Sequence, residues 1–323
     1  MSEREKDLFP LVSIITPAYN RADYLAETID SVLEQDYPRI EYIVLDDGST
    51  DNTREVLSKY AGRIIWESHP NMGETRTVNK GIEMAHGEIV AIVNSDDPLL
   101  PGAVRIAAEF LRNRPEVLVA YPDWDYIDGA SQVVQHVQVP EYDYSHMLRR
   151  HHCIVGPGAF VRKEVFELIG GRDPEFRYVA DFDFWLRAGL HGTFARISKT
   201  LATFRVHPTS ASIACQGEAM AAEHVRLVKK LFRSPAMPQE ATALRREAFA
   251  WAHYVAGASC GSNHKAARRH YLLAMYYYPR GVFEEWKSVV SLVLPRPLFR
   301  PLQIGWRIAR RARAVALRRR RPT

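Results

Sequence analysis

Two adjacent carboxylates, Asp96 and Asp97, follow the apolar run at residues 89–93 after only two intervening residues. Carboxylate oxygens suit a hard divalent cation, because Mg²⁺ is commonly held by one or two carboxylates together with substrate phosphates, and Mn²⁺ has similar preferences. Asp-Asp-Pro is also common turn chemistry. The pair therefore predicts either a cation site or a polar turn.

A second acidic segment, Asp-Asp-Gly-Ser at residues 46–49, ends another apolar run. An acid at this point can cap the positive end of a helix. Alternatively, the Asp47 carboxylate can accept hydrogen bonds from a nucleobase imide or a ribose hydroxyl. Taken alone, the segment favours capping.

Asp181 lies among aromatic side chains in the sequence Val-Ala-Asp-Phe-Asp-Phe-Trp. Loss of solvation should raise its pKa and make it a better base near neutral pH. The alternative is an acid at a helix N-terminus, which we prefer for Asp183.

His207 stands alone between Val206 and Pro208. Such a histidine is usually structural or exposed, but a neutral imidazole can also bind a metal.

The first half of the chain alternates between two kinds of pattern. Apolar runs predict strands at residues 11–16, 42–45, 64–66 and 89–93, and helical spacing predicts helices at residues 22–33, 51–60 and 75–85. This alternation predicts an α/β fold with a mainly parallel sheet flanked by helices. Ligands of open α/β sheets bind at the carboxyl ends of the strands, where the acidic segments lie.

The second half is less regular and then becomes helical. The patterns predict strands at residues 156–161 and 201–204, and helices at residues 163–169, 181–189, 218–232, 241–256 and 265–278. We therefore divide the chain into an α/β domain at residues 1–212, a helical accessory region at 213–295 and a basic tail at 296–323.

The charge of the chain is concentrated in that tail. Residues 296–323 contain ten arginines and no acid, so the net charge of +5 becomes −5 without them.

The three cysteines form no disulfide framework, which favours a reducing compartment. Residues 1–9 lack the apolar core of a signal peptide, and no stretch approaches the roughly 20 apolar residues that cross a bilayer. These features predict a cytoplasmic protein.

Five segments together carry a resemblance to a known family. In order, they read VSIITPAYNRADYLAETIDSVLEQDYP, IEYIVLDDGSTDNT, NMGETRTVNKGIEMAHGEIVAIVNSDD, GPGAFVRKEVFELIGGRDPEFRYVADFDFWLRAG and LATFRVHPTSAS. Over about residues 11–212, the chain resembles a family 2 glycosyltransferase of the GT-A (Rossmann-like) fold.

The resemblance implies a role for each matching residue. It implies that Asp181 is the catalytic base and that a Mn²⁺ or Mg²⁺ ion is bound by Asp97 and His207. It implies a nucleotide-sugar site made of Thr16, Pro17, Ala18, Tyr19, Arg21, Asp47, Arg76, Lys80 and Asp96. Within that set, Tyr19 is expected to stack on the base, Asp47 to bond it, and Arg21, Arg76 and Lys80 to meet the phosphates.

The implied activity is inverting transfer of one sugar from a nucleotide-diphosphate sugar, with a UDP-sugar favoured, to an acceptor hydroxyl. Asn94 replaces the leading acid of many DXD motifs, and Ala180 replaces an acid often found before the base. No QxxRW-like segment follows Asp181, which disfavours a processive synthase. The expected acceptor is a lipid-linked glycan or a surface polysaccharide precursor of the cell envelope, and the loops at residues 121–152 should help to select it.

Other functions remain open at this stage. A non-catalytic nucleotide-sugar or glycan-binding module would not need Asp181 and the acid pair together. A sugar nucleotidyltransferase should carry a Gly-rich, Arg-containing loop where this chain has Pro-Ala-Tyr-Asn at residues 17–20. The mildly acidic body argues against nucleic-acid binding.

The basic tail has its own predicted role. Residues 302–317 have the pattern of a basic amphipathic helix, which predicts reversible binding to an anionic membrane surface. A solvated terminus is the alternative. The membrane hypothesis makes the protein peripheral on the inner face of the cell membrane.

Overall fold

The computed structural model describes residues 9–207 and 217–279 of the 323-residue chain. The predicted boundary near residue 213, the helix predicted over residues 302–317 and the Arg-rich tail all lie outside these described residues.

A single sheet organises the α/β part of the described chain. Its strands are β1 (Val12–Ala18), β2 (Ile40–Asp46), β3 (Ile65–Ser68), β4 (Ile89–Ile92), β5 (Val117–Ile127), β6 (Val133–Val137), β7 (Phe160–Arg162) and β8 (Thr193–Arg205). Strands β3, β2, β1 and β4 lie side by side in that order and are parallel, as the sequence predicts.

The rest of the sheet brings a second set of strand ends to the same edge. Strand β7 is antiparallel to both β4 and β5, β6 is antiparallel to β5, and β8 is parallel to β5. Because only one reversed strand separates β4 from β5, strands β5 and β8 run in the same direction as β4. The carboxyl end of β8 therefore lies at the same edge as those of β1, β2 and β4.

Helices cover both faces of the sheet. They are α1 (Leu25–Leu33), α2 (Thr53–Ser58), α3 (Glu74–Met84), α4 (Ala103–Arg112), α5 (Tyr144–Arg150), α6 (Lys163–Ile169) and α7 (Ala180–Ala188). Apolar side chains of α1 and α4 share one core with β1 and β2, and those of α7 share a second core on the opposite face. Strand β1 is buried along its whole length, because neither of its faces meets solvent.

Helix α3 packs unusually close to β1. A Cβ atom at Gly81 would lie 2.4 Å from the Cγ2 atom of Ile15, which is closer than real side chains approach each other. The missing side chain therefore lets the helix lie directly on the strand. This contact fixes the start of α3 beside the carboxyl edge of the sheet.

The helical region contains α8 (Glu218–Leu231), α9 (Gln239–Thr242), α10 (Arg245–Ser259) and α11 (His264–Tyr277). Its apolar residues Leu227, Val228 and Phe249 belong to the same core as Phe176 and Phe182 near α7. The helical region thus packs directly against the part of the chain that contains Asp181.

The structure departs from the sequence predictions mainly between residues 98 and 160. The patterns did not predict α4 or β5, and the strand predicted at residues 156–161 is confined to Phe160–Arg162. The segment at residues 121–152, expected as loops, instead contains the end of β5, β6 and α5. Within the described ranges, no helix is long and apolar enough to cross a bilayer.

Candidate active site

Polar residues that follow three strands meet at the carboxyl edge of the sheet. Asp96 lies beyond β4, and its Oδ2 atom is 2.9 Å from the Nε2 atom of His207, which lies just beyond β8. The same carboxylate oxygen lies 3.3 Å from the Nε atom of Arg21, in the loop after β1. Residues 186 positions apart in the sequence are thereby brought into one cluster.

Asp97 has a different environment from its neighbour. Its Oδ1 atom accepts a hydrogen bond from the backbone N–H of Arg205 at 2.7 Å, and its Oδ2 atom accepts one from the Asn94 amide at 2.9 Å. Burial raises the pKa of Asp97, and the nearby charge of Asp96 raises it further. This carboxylate ties the end of β4 to the end of β8.

The two acids, for which the resemblance implied different roles, also differ in their surroundings. Asp97, expected as the metal ligand, is buried and bonded through both oxygens within the protein. Asp96, expected to bind the nucleotide, is the acid whose carboxylate contacts His207. Of the two adjacent acids, Asp96 is therefore the one whose carboxylate contacts His207.

Arg205 supports this cluster, and sequence reasoning did not select it. Its fully buried guanidinium donates to the backbone carbonyl of Asp96 at 2.9 Å and to the Glu27 carboxylate at 2.6 Å. It also lies over the ring of Tyr24, whose other neighbour is the imidazole of His207 at 5.0 Å between ring centroids. An arginine two residues before His207 was the only available signal, and its long-range partners were not visible in the sequence.

The donor set near Asp96 can be compared with what a cation needs. Among residues 9–207 and 217–279, no three His, Cys, Asp or Glu side chains form a group that could hold a metal by themselves. Asp96 and His207 offer one oxygen and one nitrogen donor in contact with each other. This pair fits a Mn²⁺ or Mg²⁺ ion whose remaining ligands come from substrate phosphates and water.

The loop after β1 presents one aromatic side chain to solvent. Thr16, Pro17 and Ala18 are buried within β1, and the Thr16 hydroxyl lies 3.1 Å from the hydroxyl of Tyr42. Tyr19, by contrast, is 46% exposed. Of the four residues expected around the nucleobase, only Tyr19 therefore offers an exposed side chain.

Asp47 anchors the backbone that enters helix α3. Its two carboxylate oxygens accept hydrogen bonds from the backbone N–H groups of Met72 at 2.7 Å and Gly73 at 3.0 Å. The acid therefore lies at the positive end of α3, whereas the favoured capping interpretation placed it at the helix that follows it directly. The same contacts hold the loop after β3 against the loop after β2.

The two cations expected on α3 differ in their surroundings. Arg76 is exposed on the first turn of the helix. Lys80 lies one turn later, and its Nζ atom is 2.6 Å from the carboxylate of Glu67 on β3. Arg76 is therefore the more accessible of the two for a phosphate group.

Asp181 lies on the first turn of helix α7 and is exposed. Its Oδ1 atom accepts a hydrogen bond from the backbone N–H of Phe182 at 2.7 Å. The predicted loss of solvation is wrong, because Asp181 is exposed on the first turn of α7, although Phe182 and Trp185 beside it are buried. Asp183 is the buried acid of this turn, and it forms an ion pair with Arg187 at 2.7 Å.

Comparison with known proteins finds similarity to glycosyltransferases. The family model described as Glycosyl transferase family 2 matches residues 13–170. An uncharacterized glycosyltransferase of Rickettsia typhi is 32% identical over 186 residues, which cover 55% of this chain and 58% of the relative. TuaG of Bacillus subtilis, named for teichuronic acid biosynthesis, is 41% identical over 110 residues, which cover 32% of this chain and 43% of TuaG. The matched part of the chain thus spans less than two thirds of the length of either relative.

Solved structures show the same fold. The S. aureus protein TarS, as residues 1–349 in complex with UDP-GlcNAc, has a TM-score of 0.64 and 19% identity over 88% of this chain and 82% of that one. The mannosyltransferase PcManGT of Pyrobaculum calidifontis, in complex with GDP-Man and Mn²⁺, has a TM-score of 0.57 and 20% identity over 91% of this chain and 83% of that one. The described chain has a GT-A fold followed by a helical region.

Proposed function

We propose that this chain is a family 2 glycosyltransferase that moves one sugar from a nucleotide-diphosphate sugar to an acceptor hydroxyl, with inversion and with a divalent cation. The observation that carries the proposal is the contact of Asp96 with His207 and Arg21 at the carboxyl edge of the sheet. The match of residues 13–170 to the glycosyl transferase model supports the reaction class.

In this proposal, Asp96 and His207 hold a Mn²⁺ or Mg²⁺ ion, and Asp97 fixes the strand ends that carry them. When bound, the ion supplies positive charge that stabilises a leaving diphosphate. Arg21 and Arg76 add positive charge from the loop after β1 and from the start of α3. A cation of this kind is present with a nucleotide sugar in the PcManGT complex.

In this proposal, the base of the nucleotide stacks on the exposed ring of Tyr19. An exposed aromatic ring offers a stacking surface for a base. Asp47 sets the wall of the same pocket, because it joins the loop after β2 to the backbone at Met72 and Gly73. We favour a UDP-sugar as donor, and UDP-GlcNAc is the sugar nucleotide of the TarS complex.

Asp181 is the proposed general base. Its exposed carboxylate takes the proton of the acceptor hydroxyl as that oxygen forms a bond to the anomeric carbon. The bond from the anomeric carbon to the diphosphate oxygen breaks, and its electron pair leaves with the nucleoside diphosphate. A single displacement of this kind inverts the anomeric configuration and needs no covalent sugar-enzyme intermediate.

The acceptor in this proposal is a lipid-linked glycan or a precursor of a surface polysaccharide. The name of TuaG, with its reference to teichuronic acid biosynthesis, supports an acceptor of this class. The lack of a QxxRW-like segment after Asp181 supports one transfer in each encounter. Turnover of a panel of nucleotide sugars, followed by NMR, tests this function and also identifies the sugar and the base. A non-catalytic binding module would bind such donors without consuming them.

We further propose that the Arg-rich tail holds the enzyme reversibly at the inner, anionic face of the cell membrane. Residues 296–323 contain ten arginines and no acid, and each basic residue near an anionic bilayer adds about 1 kcal/mol of attraction. A cytoplasmic enzyme with a lipid-linked acceptor would gain from this placement.

Liposome co-sedimentation of the full chain and of a chain that ends at Pro295 tests the tail. We expect the full chain to sediment with anionic vesicles at low salt and to be released at high salt, because screening weakens exposed charges. The shortened chain should remain in solution, and neutral vesicles serve as the control. Equal sedimentation of the two chains, or none by either, would rule out the tail as the membrane anchor.

A further inference from the structure

The chain that leads to Asp181 has no regular secondary structure between α6 and α7, at residues 170–179. We call these residues the α6–α7 segment. The orientation of Asp181 depends on this segment, because the acid lies on the first turn of α7 and its side chain is exposed. Other elements must therefore hold the segment in place.

Helix α8 of the helical region supplies a buried carboxylate to this segment. The Oε2 atom of Glu223 accepts a hydrogen bond from the backbone N–H of Tyr178 at 2.8 Å, and both carboxylate oxygens lie 3.1 Å from the backbone nitrogen of Arg177. Glu223 is only 6% exposed. This one side chain therefore supplies the acceptor for two successive backbone N–H groups just before Asp181.

The same helix contacts the segment at two further points. Arg226 donates to the backbone carbonyl of Glu175 at 2.8 Å, and its guanidinium lies over the ring of Phe176. Lys230 forms an ion pair with Asp173. Side chains spaced about one turn apart along α8 thus contact the segment at several points along its length.

Helix α3 holds the opposite side of the segment. The Thr75 hydroxyl donates to the backbone carbonyl of Phe176 at 3.0 Å. The side chain of Asn79 exchanges two hydrogen bonds with the backbone of Arg172, at 2.7 and 2.8 Å. The α6–α7 segment therefore lies between the helix that begins at the proposed donor pocket and the first helix of the helical region.

Helix α8 also supports the residue that follows Asp181, indirectly through His151. The Nδ1 atom of His224 lies 2.9 Å from the Nε2 atom of His151, and the His151 ring packs edge-on against Phe182 at 4.9 Å between centroids. Both histidines are buried. Residues on both sides of Asp181 in the sequence are thus supported by α8.

We propose that Glu223 is a positioning residue for Asp181, so that the helical region takes part in catalysis by orienting the base. This inference rests on the proposed function, in which Asp181 accepts the acceptor proton. Glu223 itself touches no reacting atom in this account. Its effect should fall on the chemical step and leave donor binding intact.

The variant Glu223→Gln tests the inference with little change in size. The new NH₂ group replaces one acceptor oxygen and meets backbone N–H groups, so the α6–α7 segment must shift. We expect kcat to fall about 10-fold, since small displacements of a catalytic group have effects of this order or larger. The dissociation constant of the nucleotide sugar should not change. Glu218→Gln, the same substitution at an exposed position of α8, is the matched control and should behave as wild type.

A double-mutant cycle separates positioning from general damage to the fold. In an Asp181→Asn background, Glu223→Gln should cause no further loss of kcat, because the group that it orients is already absent. An equal fall in both backgrounds, or a fall in donor affinity with kcat unchanged, would overturn the inference. If Asp181→Asn itself keeps its turnover, the proposed base is wrong instead.

A second variant serves if Glu223→Gln does not fold. Arg226→Ala removes the contact to the Glu175 carbonyl from a side chain that is 49% exposed, so it should be tolerated. It should lower kcat in the same direction with donor affinity unchanged. Wild-type kcat in this folded variant, with Glu223→Gln unfolded, would count against positioning by α8.

Discussion

The Asp181→Asn variant is expected to lose turnover by about 10²- to 10⁴-fold while it binds the donor as tightly as wild type, as for the loss of a general base. An asparagine side chain has nearly the shape of the carboxylate but cannot take the acceptor proton. The substitution should not unfold the chain, because Asp181 is exposed and its Oδ1 atom accepts a hydrogen bond from the backbone N–H of Phe182, which an asparagine oxygen can also accept.

Steady-state transfer and calorimetry of donor binding would be measured on the same preparations. Asp36→Asn is the matched control, because Asp36 is 54% exposed and pairs with Arg105 at the opposite edge of the sheet, before β2 begins. It should show wild-type kcat. A near wild-type rate for Asp181→Asn would mean that another residue is the base.

The second large effect is expected at Asp96. Replacing it with asparagine removes the carboxylate that contacts His207 and Arg21. We expect kcat/KM to fall on the order of 10²-fold, because electrostatic stabilisation of the leaving group would be weakened. Binding of the nucleoside diphosphate in Mn²⁺ should fall to the level that wild type shows in a chelator.

Calorimetry with and without Mn²⁺ distinguishes the two adjacent acids. Asp97→Asn should mainly lower thermal stability, because Asp97 accepts the backbone N–H of Arg205 and joins β4 to β8. If metal still strengthens binding to Asp96→Asn but not to a folded Asp97→Asn, the cation is held by Asp97, as the sequence resemblance implied. Asp36→Asn again provides the control.

The strands and their polar ends were predictable because they depend on local pattern. The apolar runs before Asp47 and Asp96 are short, and parallel strands place their ends at one edge, so convergence of these acids followed from the sequence alone. Fully buried strands read as continuous apolar runs, which explains why β1, β2 and β4 were found. The strand pattern did not place His207 near the site. Only the family resemblance did so.

The different surroundings of the acids in the site were not predictable, because they depend on partners that are distant in the sequence. Asp96 and Asp97 are adjacent, and what separates them is the backbone N–H of Arg205, more than 100 residues later. Likewise, Asp181 was expected to lose solvation among aromatic rings, but those rings are buried while the acid, on the first turn of α7, is exposed. The support from Glu223 comes from a helix 45 residues beyond Tyr178, outside the residues 13–170 that the family model matches.

One measurement tests the central claim most directly. Proton NMR would follow a nucleotide sugar incubated with the full chain and Mn²⁺, with water as the acceptor, on a time scale shorter than mutarotation. We predict that the donor is consumed and that the free sugar first appears with the anomeric configuration opposite to that of the donor, with no consumption in a chelator. Release with retained configuration, or no consumption of any nucleotide sugar in the panel, would contradict the account.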